Sequence, residues 1–428
     1  MKIEDLYQLY LQHPSVETDT RKLKQGDIYF ALKGPNFNGN SFAQKALEQG
    51  ASYGVIDEEA YVVDDRTILV KDSLETLQLL AKHHRQQFTI PFIAVTGSNG
   101  KTTTKELIHA VLSSSAKTYT TEGNLNNHIG VPLTILKIRD DAEFAIIEMG
   151  ANHRQEIASY CLYALPTHGL ITNCGKAHLE GFGSEEGVRK GKGELYDFLR
   201  QYNGGVFLMS DYEYLQEMSA GMQTIYKYGT HDGDVVGTTL HSEPYLEVSF
   251  TKGFSDNIRT RLVGSYNLPN VLAAVAVGKF FHIADEKIKA AIEEYAPSNS
   301  RSQLIEKGSN KIILDAYNAN PSSMKLAIEN FAKSTEPNKI LMLGAMAELG
   351  AGSLQEHETI LSQIKNYNWK NVVLVGGDFL KINHPYKQFS SSAEAGEWLK
   401  KERVKNAYIL VKGSRSTQME KVIEYLEA

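Results

Sequence analysis

The sequence is poor in cysteine, in long apolar runs and in net charge. Its 428 residues include only Cys161 and Cys174, which form no C-x-x-C motif, and we expect both to stay reduced as small buried residues of a cytoplasmic protein. No apolar run reaches the roughly 20 residues of a membrane span, and residues 1–5 contain no apolar signal core. The formal net charge of −6, without a basic tract, disfavours nucleic-acid binding.

A chain of 428 residues has room for about three domains of about 150 residues each. We predict a small N-terminal α/β domain over residues 1–86, a central α/β domain over 87–298 and a C-terminal doubly wound α/β domain over 299–428. The second boundary falls in the polar, turn-forming segment 296–300. Continuous apolar strands that alternate with helical patterns predict parallel sheets covered on both faces.

The predicted strands are short apolar runs, namely 27–32, 53–56, 144–147, 169–172, 312–314, 340–343, 372–375 and 408–411. Residues 225–264 differ, because Leu246, Val248 and Phe250 alternate with polar residues. That period of two predicts antiparallel strands with one wet face, which we expect to form a small side sheet on the central domain. A helix is predicted from about Asn267.

A glycine-rich loop joins the apolar run 90–95 to a helical pattern that begins at Lys101. Strand, glycine loop and helix in this order cradle nucleotide phosphates, since loop N–H groups and the positive helix end face the anion. Lys101 would reach the β- and γ-phosphates, and the Thr102 hydroxyl would ligate Mg²⁺. Val95 stands where the general P-loop has its first glycine, so the motif is a shortened G-x-x-G-K-T. An ordinary βα turn with a surface lysine is the alternative.

Three weaker candidates follow strands or lie on a helix of the predicted central domain. Glu148 ends a predicted strand at the sheet rim where ligands bind, and it is either a Mg²⁺ ligand or a capping or ion-pairing glutamate. His178 lies in a loop, where a histidine more often forms hydrogen bonds than ligates a metal. Lys192 is one of three basic residues in four positions, a pattern typical of a solvated helix face. The pattern alone selects neither His178 nor Lys192.

Two polar segments follow strands of the predicted C-terminal domain. Residues 315–324 are dense in hydrogen-bonding side chains and lead into a helix, so an Asx-rich turn with a helix cap would also explain them. Residues 412–415, Lys-Gly-Ser-Arg, could hold a carboxylate or a phosphate, since arginine suits bidentate contacts with anions.

Taken together, these segments make the sequence resemble the Mur ligases over nearly its whole length. The resemblance rests on residues 18–21 with 30–34, and on 96–102, 123–132 and 317–321. The last of these, Tyr-Asn-Ala-Asn-Pro, separates the family member that adds D-alanyl-D-alanine from sister ligases for other amino acids. The resemblance also accounts for the missing first glycine of the phosphate loop.

The resemblance implies an ATP-dependent amide ligase of peptidoglycan precursor synthesis, with ATP and Mg²⁺ as its cofactors. Such a ligase phosphorylates the terminal carboxylate of UDP-N-acetylmuramoyl-tripeptide, and the amine of D-alanyl-D-alanine then attacks the acyl phosphate. Positioning and charge neutralisation are its main work. The N-terminal domain would bind the UDP-sugar, the central domain ATP, and the C-terminal domain would be Rossmann-like. We expect a monomer whose partners are these small molecules.

The resemblance also assigns residues. The implied catalytic residues are Lys101, His178 and Lys192, and the implied metal ligands are Thr102, Glu148, His178 and Lys192, the last as a carbamate in its K-x-x-[IL]-[FY] spacing. The implied ATP contacts are Gly97, Ser98, Asn99, Gly100, Lys101, Thr102, Thr103, Asn267 (at the adenine), Arg301 and Asp315. The implied substrate contacts are Thr20, Arg21, Lys33, Gly34, Asn126, Asn127, Tyr317, Asn318, Asn320, Lys412, Ser414 and Arg415.

Four positions depart from the family pattern. Asn38 and Asn40 replace an aspartate and a histidine, which leaves the uridine-sugar contacts open, and Tyr266 replaces a histidine. Ala345 replaces an aspartate, which leaves contacts of the C-terminal domain to ATP or dipeptide open. The alternatives are a Mur-type ligase for another amino acid, a P-loop kinase or NTPase that forms no amide, and a non-catalytic UDP-sugar-binding paralogue.

Overall fold

The computed structural model describes residues 1–298 and 300–426. Asn299, where the predicted C-terminal domain begins, and residues 427–428 at its end therefore lie outside the described residues. Within the described ranges, sheets of four, nine and six strands follow one another along the chain, together with a two-stranded hairpin. Helices separate most of the strands, so the fold is α/β as predicted.

The N-terminal region carries the four-stranded sheet. Its elements are α1 (Ile3–Gln12), β1 (Val16–Glu17), β2 (Ile28–Phe30), β3 (Lys33–Gly34), β4 (Phe37–Asn38), α2 (Ala43–Glu48), β5 (Tyr53–Ile56), β6 (Thr67–Leu69) and α3 (Ser73–Arg85). The sheet is parallel in the order β1-β2-β5-β6, and β3 and β4 form the hairpin. At the end of α3, Arg85 donates to the carbonyl oxygens of Ala164 and Leu165. One apolar core therefore runs from this region into the next.

The central region carries the nine-stranded sheet. Its elements are β7 (Phe92–Thr96), α4 (Lys101–Ser113), β8 (Thr118–Thr120), α5 (Gly130–Leu136), β9 (Phe144–Glu148), α6 (Glu156–Ala164), β10 (His168–Ile171), α7 (Leu179–Phe182), α8 (Glu185–Gln201), β11 (Gly205–Met209), α9 (Glu213–Met218), β12 (Thr224–Gly229), β13 (Val235–His241), β14 (Glu247–Lys252), β15 (Ile258–Arg259), α10 (Leu268–Phe280) and α11 (Asp285–Glu294). The strand order is β15-β14-β13-β12-β11-β10-β7-β9-β8.

The alternating segment forms one edge of this sheet rather than a detached one. β12 and β13 pair in parallel, and β14 and β15 add antiparallel strands beyond them. The antiparallel strands predicted around Leu246–Phe250 are therefore found, but they continue the central sheet instead of forming a separate one. β12 pairs in parallel with both of its neighbours, β11 and β13. The period of two reports which face of a strand is wet and carries no information about its neighbour.

The C-terminal region carries the six-stranded sheet. Its elements are β16 (Gln303–Lys307), β17 (Asn310–Asp315), α12 (Pro321–Lys333), β18 (Lys339–Gly344), α13 (Ser353–Ile364), β19 (Asn371–Val375), β20 (Lys387–Phe389), α14 (Ser392–Lys401) and β21 (Tyr408–Lys412). The order is β16-β17-β21-β18-β19-β20, with only β16 antiparallel. Apolar clusters cover both faces, as in a doubly wound sheet. In the described part of the chain, we find no helix with the length and apolarity to cross a membrane.

Candidate active site

A cavity of about 830 Å³ lies between the central and C-terminal regions. The loops after β7, β9 and β10 line one side, and residues after β17 line the other. Ligands of open α/β sheets bind at the carboxyl ends of the parallel strands, where these loops lie. The cavity is therefore where the predicted phosphate loop and the predicted C-terminal site residues meet.

The phosphate loop is held in shape by two glycines and one asparagine. Gly97 has φ +143° and Gly100, which precedes α4, has φ +79°. A Cβ on Gly97 would lie 2.0 Å from Thr172 Oγ1, so only glycine fits there. The backbone N–H of Asn99 donates to Asn173 Oδ1 at 3.0 Å. Asn173, which the sequence did not single out, therefore fixes the loop from the end of β10.

Lys101 folds back over this loop. Its Nζ donates to Gly97 O at 2.7 Å and approaches Ser98 O at 3.3 Å. Burial lowers the pKa of the Lys101 ammonium. Thr102, in the first turn of α4, is buried and lines the cavity, as does Thr103. The loop therefore presents a partly desolvated cation and a hydroxyl where an anion would bind.

Glu148 ends β9 with an incomplete set of hydrogen bonds. Its side chain is 1% exposed, and Oε1 accepts a hydrogen bond from Asn126 Nδ2 at 2.7 Å. Oε2 is buried without a partner. An unpaired buried carboxylate oxygen is costly unless a cation or donor meets it. Glu148 is therefore suited to a hard cation such as Mg²⁺.

The protein side chains alone do not complete a metal site. Across residues 1–298 and 300–426, no three His, Cys, Asp or Glu side chains cluster closely enough to hold an ion. A cation at Glu148 would therefore need further oxygens, from the Thr102 hydroxyl, from a nucleotide or from a modified side chain. Mg²⁺ usually keeps such mixed ligands.

Lys192 lies inside the protein and not on a solvated helix face. It is 1% exposed on α8, and its Nζ donates to Ala151 O at 3.0 Å. Burial, and then the nearby Lys101 charge, lower the pKa of Lys192 to about 7. The alternative of a solvated basic face instead describes Lys190, which is exposed and lies 3.5 Å from Glu186.

His178 meets a residue of the C-terminal region. Its Nδ1 lies 2.6 Å from Glu348 Oε2, and His178 lines the cavity. The contact with His178 holds the pKa of the Glu348 carboxyl below its ordinary value. The sequence did not single out Glu348, although a carboxylate soon after β18 was an available signal. Chain distance hid the pairing, since 170 residues separate the two.

An asparagine pair supports the far side of the phosphate loop. Asn267 is 3% exposed and lines the cavity, its Nδ2 donating to Val263 O and its Oδ1 accepting from Asn270 Nδ2. Asn270, also missed at the sequence level, accepts a hydrogen bond from Thr104 Oγ1. Tyr266 lies beside them, with its hydroxyl 2.9 Å from Ser302 Oγ.

The C-terminal side of the cavity carries one ion pair and one cation–π pair. Lys412 Nζ lies 2.5 Å from Asp315 Oδ2, so a residue predicted for substrate and one predicted for ATP form a single ion pair. The guanidinium of Arg301 stacks 3.6 Å above the ring of Tyr317. All four residues line the cavity.

Asn320 joins the two sides of the cavity. Its Nδ2 donates to Asn99 Oδ1 in the phosphate loop at 2.8 Å. Its Oδ1 accepts from Ser323 N–H, so it also caps α12, as the alternative for this segment proposed. Asn318 lines the same wall, and Asn126 and Asn127 line the central side.

Several predicted substrate residues are not among those lining this cavity. Ser414 is buried and donates to Ala345 O at 2.6 Å, whereas Arg415 is exposed and pairs with Glu420 at 3.0 Å. Ala345, which replaces the family aspartate, thus contacts Ser414 through its backbone carbonyl oxygen. The N-terminal candidates Thr20, Arg21, Lys33 and Gly34 lie in the first region.

The N-terminal candidates form a separate polar group. Lys33 Nζ lies 3.1 Å from Asp57 Oδ1, and Asn40 Nδ2 donates to the same oxygen at 2.8 Å. Arg21 is 87% exposed and pairs with Asp19. Asn40, one of the residues that differ from the family pattern, therefore binds the Asp57 carboxylate, which also pairs with Lys33.

Three family models match the chain in succession. They are the Mur ligase family catalytic domain over residues 14–85, the Mur ligase middle domain over 95–278 and the Mur ligase glutamate ligase domain over 300–415. The α/β regions and the phosphate loop agree with that class of ATP-using ligase, and the chain belongs to the Mur ligase family.

Two similar proteins narrow the comparison to one branch of the family. The chain is 35% identical to the UDP-N-acetylmuramoyl-tripeptide–D-alanyl-D-alanine ligase of Bacillus subtilis, covering 96% of this chain and 92% of that protein. It is 34% identical to the Escherichia coli ligase of the same name, covering 96% and 93%.

Solved structures agree with these relatives. A crystal structure of MurF from Acinetobacter baumannii superposes with a TM-score of 0.87 at 30% identity, covering 96% of this chain and 93% of that chain. MurF from Thermotoga maritima in complex with ADP gives 0.87 at 26% identity, covering 97% of each. The predicted family and three-part α/β fold are confirmed.

Proposed function

We propose that this Mur ligase joins the amine of D-alanyl-D-alanine to the terminal carboxylate of UDP-N-acetylmuramoyl-tripeptide, while ATP is converted to ADP and phosphate. The 2.8 Å hydrogen bond from Asn320 to Asn99 carries the proposal. It joins the phosphate loop to the segment that resembles the dipeptide-adding member of the family. The Bacillus subtilis and Escherichia coli relatives, which are named as ligases for these two substrates and match over nearly their full length, support the same assignment.

A carboxylate and an amine do not condense spontaneously in water, so the carboxylate must first be activated. Bound ATP would supply the γ-phosphoryl group for an acyl phosphate, and bound Mg²⁺ would neutralise charge between the two anionic reactants. The amine then attacks the acyl carbon and loses a proton, and phosphate leaves with one oxygen of the former carboxylate. The residues that line the cavity would align the reactants and limit access of water.

The central residues supply the electrostatic part of this proposal. Lys101 would contact the transferring phosphoryl group, and Thr102 and Glu148 would hold the cation. The unpaired Oε2 of Glu148 supports that role. His178 would be a further ligand. Lys192, as a neutral amine, would combine with CO₂ to give an anionic carbamate and release a proton.

The other predicted residues complete the proposed ligand sites. Asn267 would contact the adenine, and Arg301 with the Asp315–Lys412 pair would contact ATP and dipeptide across the cavity. The UDP-sugar would lie near the Lys33 and Asp57 group of the N-terminal region. We propose domains over residues 1–86, 87–298 and 299–428 for these three sites, acting within one monomer.

The test compares amine acceptors on the purified full chain. UDP-N-acetylmuramoyl-tripeptide, with either meso-diaminopimelate or lysine as third residue, is incubated with ATP and Mg²⁺ and with D-alanyl-D-alanine, meso-diaminopimelate, L-lysine or D-glutamate. Phosphate release and product mass are measured. D-Alanyl-D-alanine should give a new amide and the fastest turnover. A better single amino acid would indicate a sister ligase, and a stable phosphoester would indicate a kinase.

A further inference from the structure

The contact between His178 and Glu348 joins two residues in unusual backbone conformations. Neither is glycine, yet His178 has φ +52° and Glu348 has φ +61°. Side chains disfavour this left-handed region, and such residues persist only where their surroundings over-determine them, often at functional sites. Here the two residues face each other from loops that follow strands of different sheets, β10 and β18, and their side-chain atoms are 2.6 Å apart.

The backbone fixes this contact as well as the side chains. The Glu348 carbonyl oxygen accepts a hydrogen bond from Glu180 N–H at 3.2 Å. Gly350 packs on the same turn, since a Cβ built there would lie 3.3 Å from Glu180 Cα. The turn that carries Glu348 is therefore seated on the start of α7, immediately after His178.

The chemistry of the pair determines which imidazole nitrogen is available. Within the described residues His178 Nδ1 is buried and makes no hydrogen bond of good geometry, and its 2.6 Å approach to Glu348 Oε2 is an ion-pair contact. An ionised carboxylate can only accept hydrogen bonds, so this contact favours the tautomer with the proton on Nδ1. The lone pair of the neutral ring then lies on Nε2, and a metal ligand must offer a lone pair. A carboxylate behind a ligating histidine fixes the tautomer and the ring orientation.

We propose that Glu348 is a positioning residue that makes His178 a competent metal ligand only while the C-terminal region is packed against the central one. This inference rests on the proposed function. It makes assembly of the cation site depend on closure of the cavity, because the carboxylate and the imidazole belong to different regions. The neighbouring Lys176–Glu356 ion pair, 2.7 Å long, crosses the same boundary through two other residues.

The test uses Mn²⁺ as a probe for the cation. Its dissociation constant is measured by calorimetry on the full chain with a non-hydrolysable ATP analogue, for wild type, Glu348→Gln, Glu348→Ala and the control Glu356→Gln. Removing a carboxylate behind a ligand typically costs about 10- to 100-fold in metal affinity. We expect that loss for Glu348→Ala, a smaller loss for Glu348→Gln because its amide oxygen can still accept from Nδ1–H, and less than about 3-fold for Glu356→Gln. Thermal unfolding of each variant checks that it folds.

A double-mutant cycle separates positioning from general support. In a His178→Ala background, Glu348→Ala should cause no further loss of Mn²⁺ affinity, because Glu348 acts through the imidazole. A full additional loss there, equal losses for Glu348→Ala and Glu356→Gln, or no Mn²⁺ binding by wild type would overturn the inference. The cycle measures metal binding and not amide formation. Coupling between Glu348 and His178 in a protein that forms no amide would refute the proposed function alone. Amide formation without that coupling would refute the inference alone.

Discussion

Replacing the buried Lys192 with methionine should stabilise the protein near neutral pH and sharply lower its kcat. Methionine keeps the length of the side chain and removes the amine. In the wild type, Lys192 is 1% exposed, and burial lowers its pKa from 10.5 to about 7. The unfolded chain therefore binds this proton more tightly than the folded chain does. The contribution of Lys192 to the free energy of unfolding therefore depends on pH.

The sign follows from the two pKa values. Above pH 10.5 the amine is neutral in both states, and as the pH falls towards about 7 the folded state loses stability relative to the unfolded state. The full difference corresponds to at most about 5 kcal/mol. Methionine leaves Ala151 O without its hydrogen-bond donor, and this loss cancels roughly 1–3 kcal/mol of the stability gained by removing the buried amine. We expect Lys192→Met to be about 1–3 kcal/mol more stable at pH 7.5, with the gain vanishing near pH 10.

The same pKa makes carbamate formation feasible. At pH 7.5 about three quarters of the Lys192 side chains would be neutral, against about one in a thousand for an ordinary lysine. Only the neutral amine reacts with CO₂. Loss of the resulting anionic ligand should lower kcat by at least about 100-fold, as for other groups that stabilise charge at a reacting centre.

The assay is urea unfolding of metal-free protein in CO₂-depleted buffer at pH 7.5 and 10, followed by ligase kinetics with Mg²⁺. The exposed Lys190, on the same helix, provides the matched control Lys190→Met, which should change neither quantity appreciably. Lower stability of Lys192→Met at both pH values, or activity near that of wild type, would refute the reasoning.

Two further substitutions test the phosphate loop. Lys101→Met should lower kcat/KM by a factor that corresponds to the loss of roughly 3 kcal/mol or more of transition-state stabilisation, because it removes a desolvated charge at the transferring phosphoryl group. Steady-state kinetics that stay near wild type would exclude this role. Gly100→Ala should raise KM for ATP at least about 10-fold, since a Cβ would lie 2.6 Å from Asn270 Oδ1 at φ +79°. Gly123→Ala, at φ +56° with nothing within 4 Å, is its control, and equal effects of the two would contradict the steric argument.

The sequence predicted the fold well where apolar runs were continuous. The runs at 144–147 and 340–343 lie on buried parallel strands. They were predictable because a strand that is buried on both faces is apolar at every position. Pairing at the sheet edge could not be predicted, since the alternation around Val248 describes only its faces. Local patterns report burial and not neighbours.

The site was predictable where its residues are close together in sequence. The phosphate loop is one such segment, whereas the His178–Glu348 and Asn99–Asn320 contacts join residues far apart in the chain. The burial of Lys192 beside an exposed Lys190 follows from helix geometry, because side chains two residues apart on a helix point about 160° apart. Counting basic residues in the segment concealed that difference.

The most direct test of the central claim follows one oxygen atom. UDP-N-acetylmuramoyl-tripeptide labelled with ¹⁸O in its terminal carboxylate is turned over with ATP, Mg²⁺ and D-alanyl-D-alanine, and both products are analysed by mass spectrometry. Ligation through an acyl phosphate predicts one ¹⁸O in the released phosphate and one fewer in the new amide than in the starting carboxylate. Phosphate without label, or no amide product, would contradict the account.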